Sequence, residues 1–301
     1  MVAITAPRVE GTVTVGSGRR FGFAEFGPAD GRPIVWMHGT PGARRQIPES
    51  ARVAADELGL RIVGIDRPGV GASSAYLHAS LLDVAAELGE VTQQLGLDRF
   101  AMIGLSGGGP YVLAYSHLFP DRVAVAGILG GMGPGEGDDA AEGGVINRLS
   151  VVAPLVARLR IPLSIGLTAG LWALRPVASQ VFDLYARFSP EGDRRVFEQP
   201  EVKAMFLDDL LLGTRTGVAA LLYDFVLISR PWGFSPRDVS VPTRWWHGDA
   251  DNLVPLEHGR HMVSLIPDAE LFVRPGESHL GGLGAAEEVL ATLLAVWHER
   301  G

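Results

Sequence analysis

The chain has 301 residues, 47% hydrophobic and 20% charged, which suits one large α/β domain with an insertion. Its net charge of −8, from 26 basic and 34 acidic residues, excludes a broad basic surface for nucleic acid. The lack of cysteine excludes disulfides, thiolate chemistry and cysteine-based zinc sites.

The chain opens on residues 1–7, which lack both a charged leader and an apolar core. No signal peptide is expected, and the location is read as cytoplasmic. Strand-like runs follow at 11–15, 21–26, 34–37, 61–65, 100–105, 123–129, 242–246 and 269–273. Helical patterns lie between several of them, at 47–58, 81–95, 110–118, 257–265 and 286–298. This alternation predicts a mostly parallel sheet covered on both faces, with an antiparallel hairpin at the N-terminus. No internal repeat interrupts it.

The densest chemical signal is Gly104-Leu105-Ser106-Gly107-Gly108. It lies between the apolar strand run ending at Ile103 and a helix opening with Pro110 near its first turn. A serine there can sit on a strained turn with its hydroxyl pushed into a cleft. The glycines allow close backbone approach, and the following helix aims N–H groups at a developing oxyanion. A serine nucleophile needs a base, and the base needs an orienting carboxylate. His247-Gly248-Asp249-Ala250-Asp251 places two acids just past one strand, and Gly276-Glu277-Ser278-His279 follows the next. Serine, acid and histidine occur in that order, each on a loop after its own strand.

Two further loops complete the pattern: His38-Gly39-Thr40-Pro41-Gly42 after the run at 34–37, and Asp66-Arg67-Pro68-Gly69-Val70-Gly71 after the run at 61–65. With these the chain resembles the α/β-hydrolase family along nearly its whole length. The resemblance implies an α/β-hydrolase fold: a mostly parallel eight-stranded sheet with helices on both faces and an inserted helical cap. It implies Ser106, Asp251 and His279 as the catalytic residues, with Asp251 preferred over Asp249 by the family pattern ending in Val254-Pro255. It also implies an oxyanion hole made by the backbone N–H groups of Thr40 and Gly107. His38 takes a structural role by the same resemblance, and the Asp66 segment reads as a tight turn.

The regular alternation stops near residue 130 and resumes near 242, a gap too long for an unstructured loop. The expected division is a core of 1–130 and 242–301, with residues 131–241 forming a cap between strands six and seven. The apolar stretch at 161–174 is shorter than the roughly 20 residues of a membrane span. It is therefore expected as a cap helix packed on the core, and no transmembrane segment is expected. Interfacial attachment is the weaker alternative, because Arg158, Arg160 and Arg175 do not form a clean basic face. His247, His258, His261 and His298 are expected at solvated or capping positions.

No cofactor and no metal are expected, since no His/Asp/Glu cluster has ligand spacing. The partner is a small-molecule substrate with an apolar portion, and the sequence leaves the oligomeric state open. The expected reaction is hydrolysis of a small or medium carboxylic ester through an acyl-enzyme. A proline iminopeptidase-like aminopeptidase is the nearest rival. It would need carboxylates from Glu191, Glu198, Glu201, Asp208 and Asp209 to converge near Ser106. A haloperoxidase-like perhydrolase without a cofactor could use the same triad. A non-catalytic ligand-binding homologue is the alternative outside enzyme chemistry.

Overall fold

The computed structural model describes residues 2–144 and 151–300. Eight strands form one sheet: β1 Val9–Thr14, β2 Arg20–Phe26, β3 Arg32–Met37, β4 Leu60–Ile65, β5 Phe100–Leu105, β6 Val123–Leu129, β7 Thr243–Gly248 and β8 Ala269–Arg274. Their spatial order is β1-β2-β4-β3-β5-β6-β7-β8. The β1–β2 and β2–β4 pairings are antiparallel, and every later pairing is parallel. All eight expected strands are present.

The central strands β5 and β6 are apolar and buried at every position, as strands covered on both faces must be. Alternation along β3 and β4 sorts side chains to opposite sides. Val35, Met37, Val63 and Ile65 join one core, with helices α2 (Leu81–Gln94) and α3 (Gly109–Leu118). Ile34, Trp36 and Ile62 join the other, with α1 (Glu49–Glu57) and a C-terminal helix at Ala286–Glu299. Helix α2 starts where its sequence says it should. Ser80 Oγ accepts from Asp83 N at 3.2 Å, and Asp83 Oδ2 accepts from Ser80 N at 2.9 Å, a reciprocal capping box.

Between β6 and β7 the described residues form a helical excursion: α4 (Ala153–Leu174), α5 (Ala178–Phe188), α6 (Glu191–Phe197), α7 (Pro200–Gly213) and α8 (Ala219–Ser229). Then come α9 (Leu256–Leu265), the short α10 (Gly281–Gly284) and α11 (Ala286–Glu299). The excursion overturns one expectation. The stretch at 161–174 belongs to a helix of 22 residues in which only Ala153 is buried. It is not a core-packed helix, because it contacts α8 along one side and its apolar side chains on the opposite side stay exposed.

Parallel strands deliver their following loops to one edge of the sheet, where such folds bind ligands. Strand β3 lies between β4 and β5, with Met37 opposite Gly104. That register brings the loop after Met37 beside the turn after Leu105.

Candidate active site

Ser106 leaves β5 in the left-handed region at φ +49°, the one non-glycine residue with positive φ among the described residues. Such a conformation is costly for a residue with a Cβ and clusters at functional sites. The neighbouring glycines explain how the turn fits. A Cβ on Gly108 would come 2.3 Å from the Met37 carbonyl oxygen, and one on Gly107 would come 2.5 Å from Thr40 Oγ1. The turn is thus pressed directly against the loop that carries Thr40.

His279 lies on the loop after β8. Its Nδ1–H donates to Asp251 Oδ2 at 2.7 Å, and its Nε2 stands 2.8 Å from Ser106 Oγ. With the proton on Nδ1, Nε2 is free to accept the serine proton. Asp251 Oδ1 accepts from the backbone N–H groups of Leu253 and Val254, both at 2.9 Å. Burial opposes ionisation of Asp251, but hydrogen bonds from His247 and His279 outweigh it and hold the carboxyl well below its ordinary range. The acid therefore stays charged at neutral pH. Asp249 does different work: its Oδ1 accepts from Gly276 N at 2.7 Å, bracing the turn before the histidine.

His38 accepts from Arg67 N through Nε2 at 3.2 Å, so its Nδ1–H is the group that meets the Gly39 carbonyl at 2.8 Å. Burial and the neighbouring Arg67 guanidinium keep this ring neutral. The structural role expected for His38 fits this geometry. Asp66 is also buried, accepting from Arg44 N at 2.8 Å and Ala72 N at 3.0 Å, as a turn-forming residue would.

Above Ser106 lies a cavity of about 570 Å³ lined by Ser106, His279 and Thr40. Its wall is largely apolar, with Phe182, Tyr185, Phe197, Phe206, Leu253 and Leu280. Phe197 packs edge-on against Phe182 and Phe206 at centroid distances of 5.1 and 5.5 Å. Among the five carboxylates of the aminopeptidase reading, Asp209 alone lines the cavity. Glu191 instead pairs with Arg195 on a solvated helix face, and Asp208 pairs with Arg45 at 3.1 Å.

A family model described as alpha/beta hydrolase fold matches residues 32–151. An esterase from Exiguobacterium antarcticum superposes with a TM-score of 0.66 at 20% identity, covering 96% of this chain and 100% of that one. The chain has the α/β-hydrolase fold. A non-heme haloperoxidase from Rhodococcus erythropolis is 27% identical over 94% of this chain and 97% of its own length. A proline iminopeptidase from Neisseria gonorrhoeae is 32% identical, over 41% of this chain and 40% of its own.

The site also holds residues that the sequence alone did not reveal. Asp224 on α8 accepts from Arg67 Nη2 at 2.6 Å, Tyr111 Oη at 2.7 Å and Thr40 Oγ1 at 3.0 Å. A lone aspartate inside the apolar run Ala219–Ser229 was the available signal, since a buried carboxylate requires partners. Asp193 on α6 accepts from Leu280 N at 2.7 Å, immediately after His279. Asp209 on α7 accepts from Ala43 N at 2.7 Å and Arg45 N at 3.1 Å. Burial pushes the Asp209 carboxyl up to about 7.

His247 and His258 correct a further expectation, since both are buried rather than solvated. Trp245 Nε1–H donates to His247 Nδ1 at 3.1 Å, which leaves Nε2–H to donate to the Val254 carbonyl at 2.8 Å. The ring thus supports the turn that carries Asp251. His258 Nδ1 accepts from Gly133 N at 3.2 Å. Each ring found a backbone partner inside the fold, which residue spacing alone does not reveal.

Proposed function

We propose that the protein is a serine hydrolase acting on small or medium carboxylic esters with an apolar portion, and that the helices between β6 and β7 serve as its cap. The observation that carries this reading is the Ser106–His279–Asp251 hydrogen-bond chain at the floor of an apolar cavity. Ser106 Oγ attacks the ester carbonyl while His279 Nε2 takes its proton. The imidazolium then protonates the departing alcohol, leaving an acyl group on Ser106. Water, deprotonated by His279, releases the carboxylic acid and restores the serine. The backbone N–H groups of Thr40 and Gly107, on abutting loops, stabilise the oxyanion in both halves.

Apolar cavity walls favour an acyl chain or ring over a free ammonium. Asp193 and Asp209, the carboxylates at the cavity, both accept from backbone N–H groups. That disposition supports an ester over an aminopeptidase substrate. Similarity to the Rhodococcus haloperoxidase over 94% of this chain supports a second reading. In it, hydrogen peroxide replaces water on the acyl-enzyme and releases a peracid.

A fluorophosphonate probe tests the nucleophile: Ser106 is expected to be labelled, and Ser106→Ala to lose both labelling and ester turnover. Labelling elsewhere, or full turnover by the variant, overturns the assignment. A panel of p-nitrophenyl esters against proline-β-naphthylamide tests the substrate class, with the esters expected to be cleaved far faster. Peracid formation with added peroxide separates the two acyl-acceptor readings.

A further inference from the structure

Helix α4 faces the protein with its more polar stripe. Its half-buried positions include Ala157, Arg160, Ser164, Thr168 and Leu171, spaced three or four residues apart. That side meets the start of α8, where Thr168 Oγ1 accepts from Val218 N at 3.1 Å. Apart from Arg158, the rest of its circumference is apolar and bare: Ile165 is 65% exposed and Ile161 62%. The next helix, α5, also bares apolar side chains at Val181, Leu184 and Phe188, the last 80% exposed. Helices in water turn the polar face outward, and α4 does the reverse. Exposed apolar surface of this extent marks an interaction surface.

Charge selects the partner. The run Ala153–Phe188 is long and apolar enough to cross a membrane, yet it holds four arginines and one aspartate in a chain of net charge −8. The aspartate, Asp183, is taken by Lys203 at 2.5 Å. Arg158 and Arg187 are exposed and have no carboxylate partner among the described residues. A second copy of the same face would set like charge against like charge. An anionic lipid surface accepts both the apolar side chains and the arginines. Arg158 and Arg160 within α4, and its attachment to α8, favour lying in the interface over spanning the bilayer.

We propose that α4 and α5 form a docking face for anionic phospholipid membranes, with α4 lying in the plane of the interface. Phe182 and Tyr185 on α5 also line the cavity above Ser106, so the docking face borders the cavity wall. Delivery of apolar esters from the bilayer to that cavity rests on the hydrolase reading; the docking itself does not.

The test is flotation of the full chain with vesicles of mixed phosphatidylglycerol and phosphatidylcholine, and with phosphatidylcholine alone. Turnover of water-soluble p-nitrophenyl acetate and sedimentation velocity are measured in parallel. The wild type is expected to float with the anionic vesicles. The triple variant Ile161→Gln/Ile165→Gln/Phe188→Ser should lose about tenfold or more in partitioning, with turnover of the soluble ester retained. Arg158→Gln/Arg187→Gln should lose about fivefold per arginine on anionic vesicles and little on neutral ones. A wild type that stays in the buffer overturns the proposal. So does a dimer that the triple variant dissociates while flotation is unchanged, because the face is then a self-association surface. Flotation of a wild type inactive on the ester supports the docking face and overturns the hydrolase reading alone.

Discussion

Arg67 Nη2 and Asp224 Oδ2 lie 2.6 Å apart, with Arg67 wholly buried and Asp224 nearly so. The pair joins the loop after β4 to α8, and it does so beside the Thr40 loop. Arg67 Nη2 also donates to the Gly39 carbonyl at 3.0 Å and to Thr40 Oγ1 at 2.7 Å. One guanidinium therefore fixes the segment that carries Thr40, whose N–H is proposed for the oxyanion hole. Asp224→Ala strands a buried cation and is expected to lower stability by about 3–5 kcal/mol, measured by urea unfolding. Among molecules still folded, kcat for the ester should fall more than KM rises. Loss of oxyanion geometry affects the transition state more than ground-state binding.

Ser106 at φ +49° stores strain that glycine does not feel. Ser106→Gly should abolish turnover yet unfold at a higher temperature than Ser106→Ala, with a difference of about 1 kcal/mol. Equal stability of the two variants, measured by calorimetry, would show that the turn is unstrained.

The two acids at the end of β7 should separate cleanly. Asp251 holds His279 Nδ1 at 2.7 Å, so Asp251→Asn should lower kcat about 10³–10⁴-fold, through the wrong imidazole tautomer. Asp249 contacts only the turn at Gly276 in this region. Its replacement by Asn, whose amide oxygen still accepts from Gly276 N, should leave kcat within about tenfold of wild type. Steady-state kinetics on one ester decide between them.

Asp209 gives stability a pH dependence whose sign follows from its raised carboxyl. In the folded state it titrates at about 7, well above a carboxyl in an unfolded chain. Between those values the folded protein holds a proton that the unfolded chain has lost, so this group favours folding more as pH falls. From this group the midpoint of thermal unfolding should rise as pH drops from 8 to 5. The corresponding limit is about 1.4 kcal/mol per pH unit. Asp209→Asn should remove that slope while costing stability throughout, because it loses one acceptor for Ala43 N or Arg45 N.

The strands were legible because alternation and buried apolar runs repeat a simple period, and Ser106, Asp251 and His279 because each stands on a glycine-marked turn after a strand. What escaped was long-range pairing. Asp224 meets Arg67 across 157 positions and Asp193 meets Leu280 across 87. No local pattern encodes such meetings. The stretch at 161–174 misled for another reason: apolar composition reports that a helix avoids water, not whether protein is what covers it.

The helices between β6 and β7 give acceptors to two of the loops around the cavity, those after β3 and β8. Asp209 supports Ala43 and Arg45, Asp224 supports Thr40, and Asp193 supports the amide after His279. These helices and the sheet's loops are therefore not independent of one another. A chimera with foreign helices between β6 and β7 would keep Ser106, Asp251 and His279 unchanged in sequence. It would still leave one buried and two half-buried backbone amides without acceptors, and the buried Arg67 guanidinium without its carboxylate. Grafting a new specificity onto this scaffold requires transplanting those three aspartates along with the cavity wall.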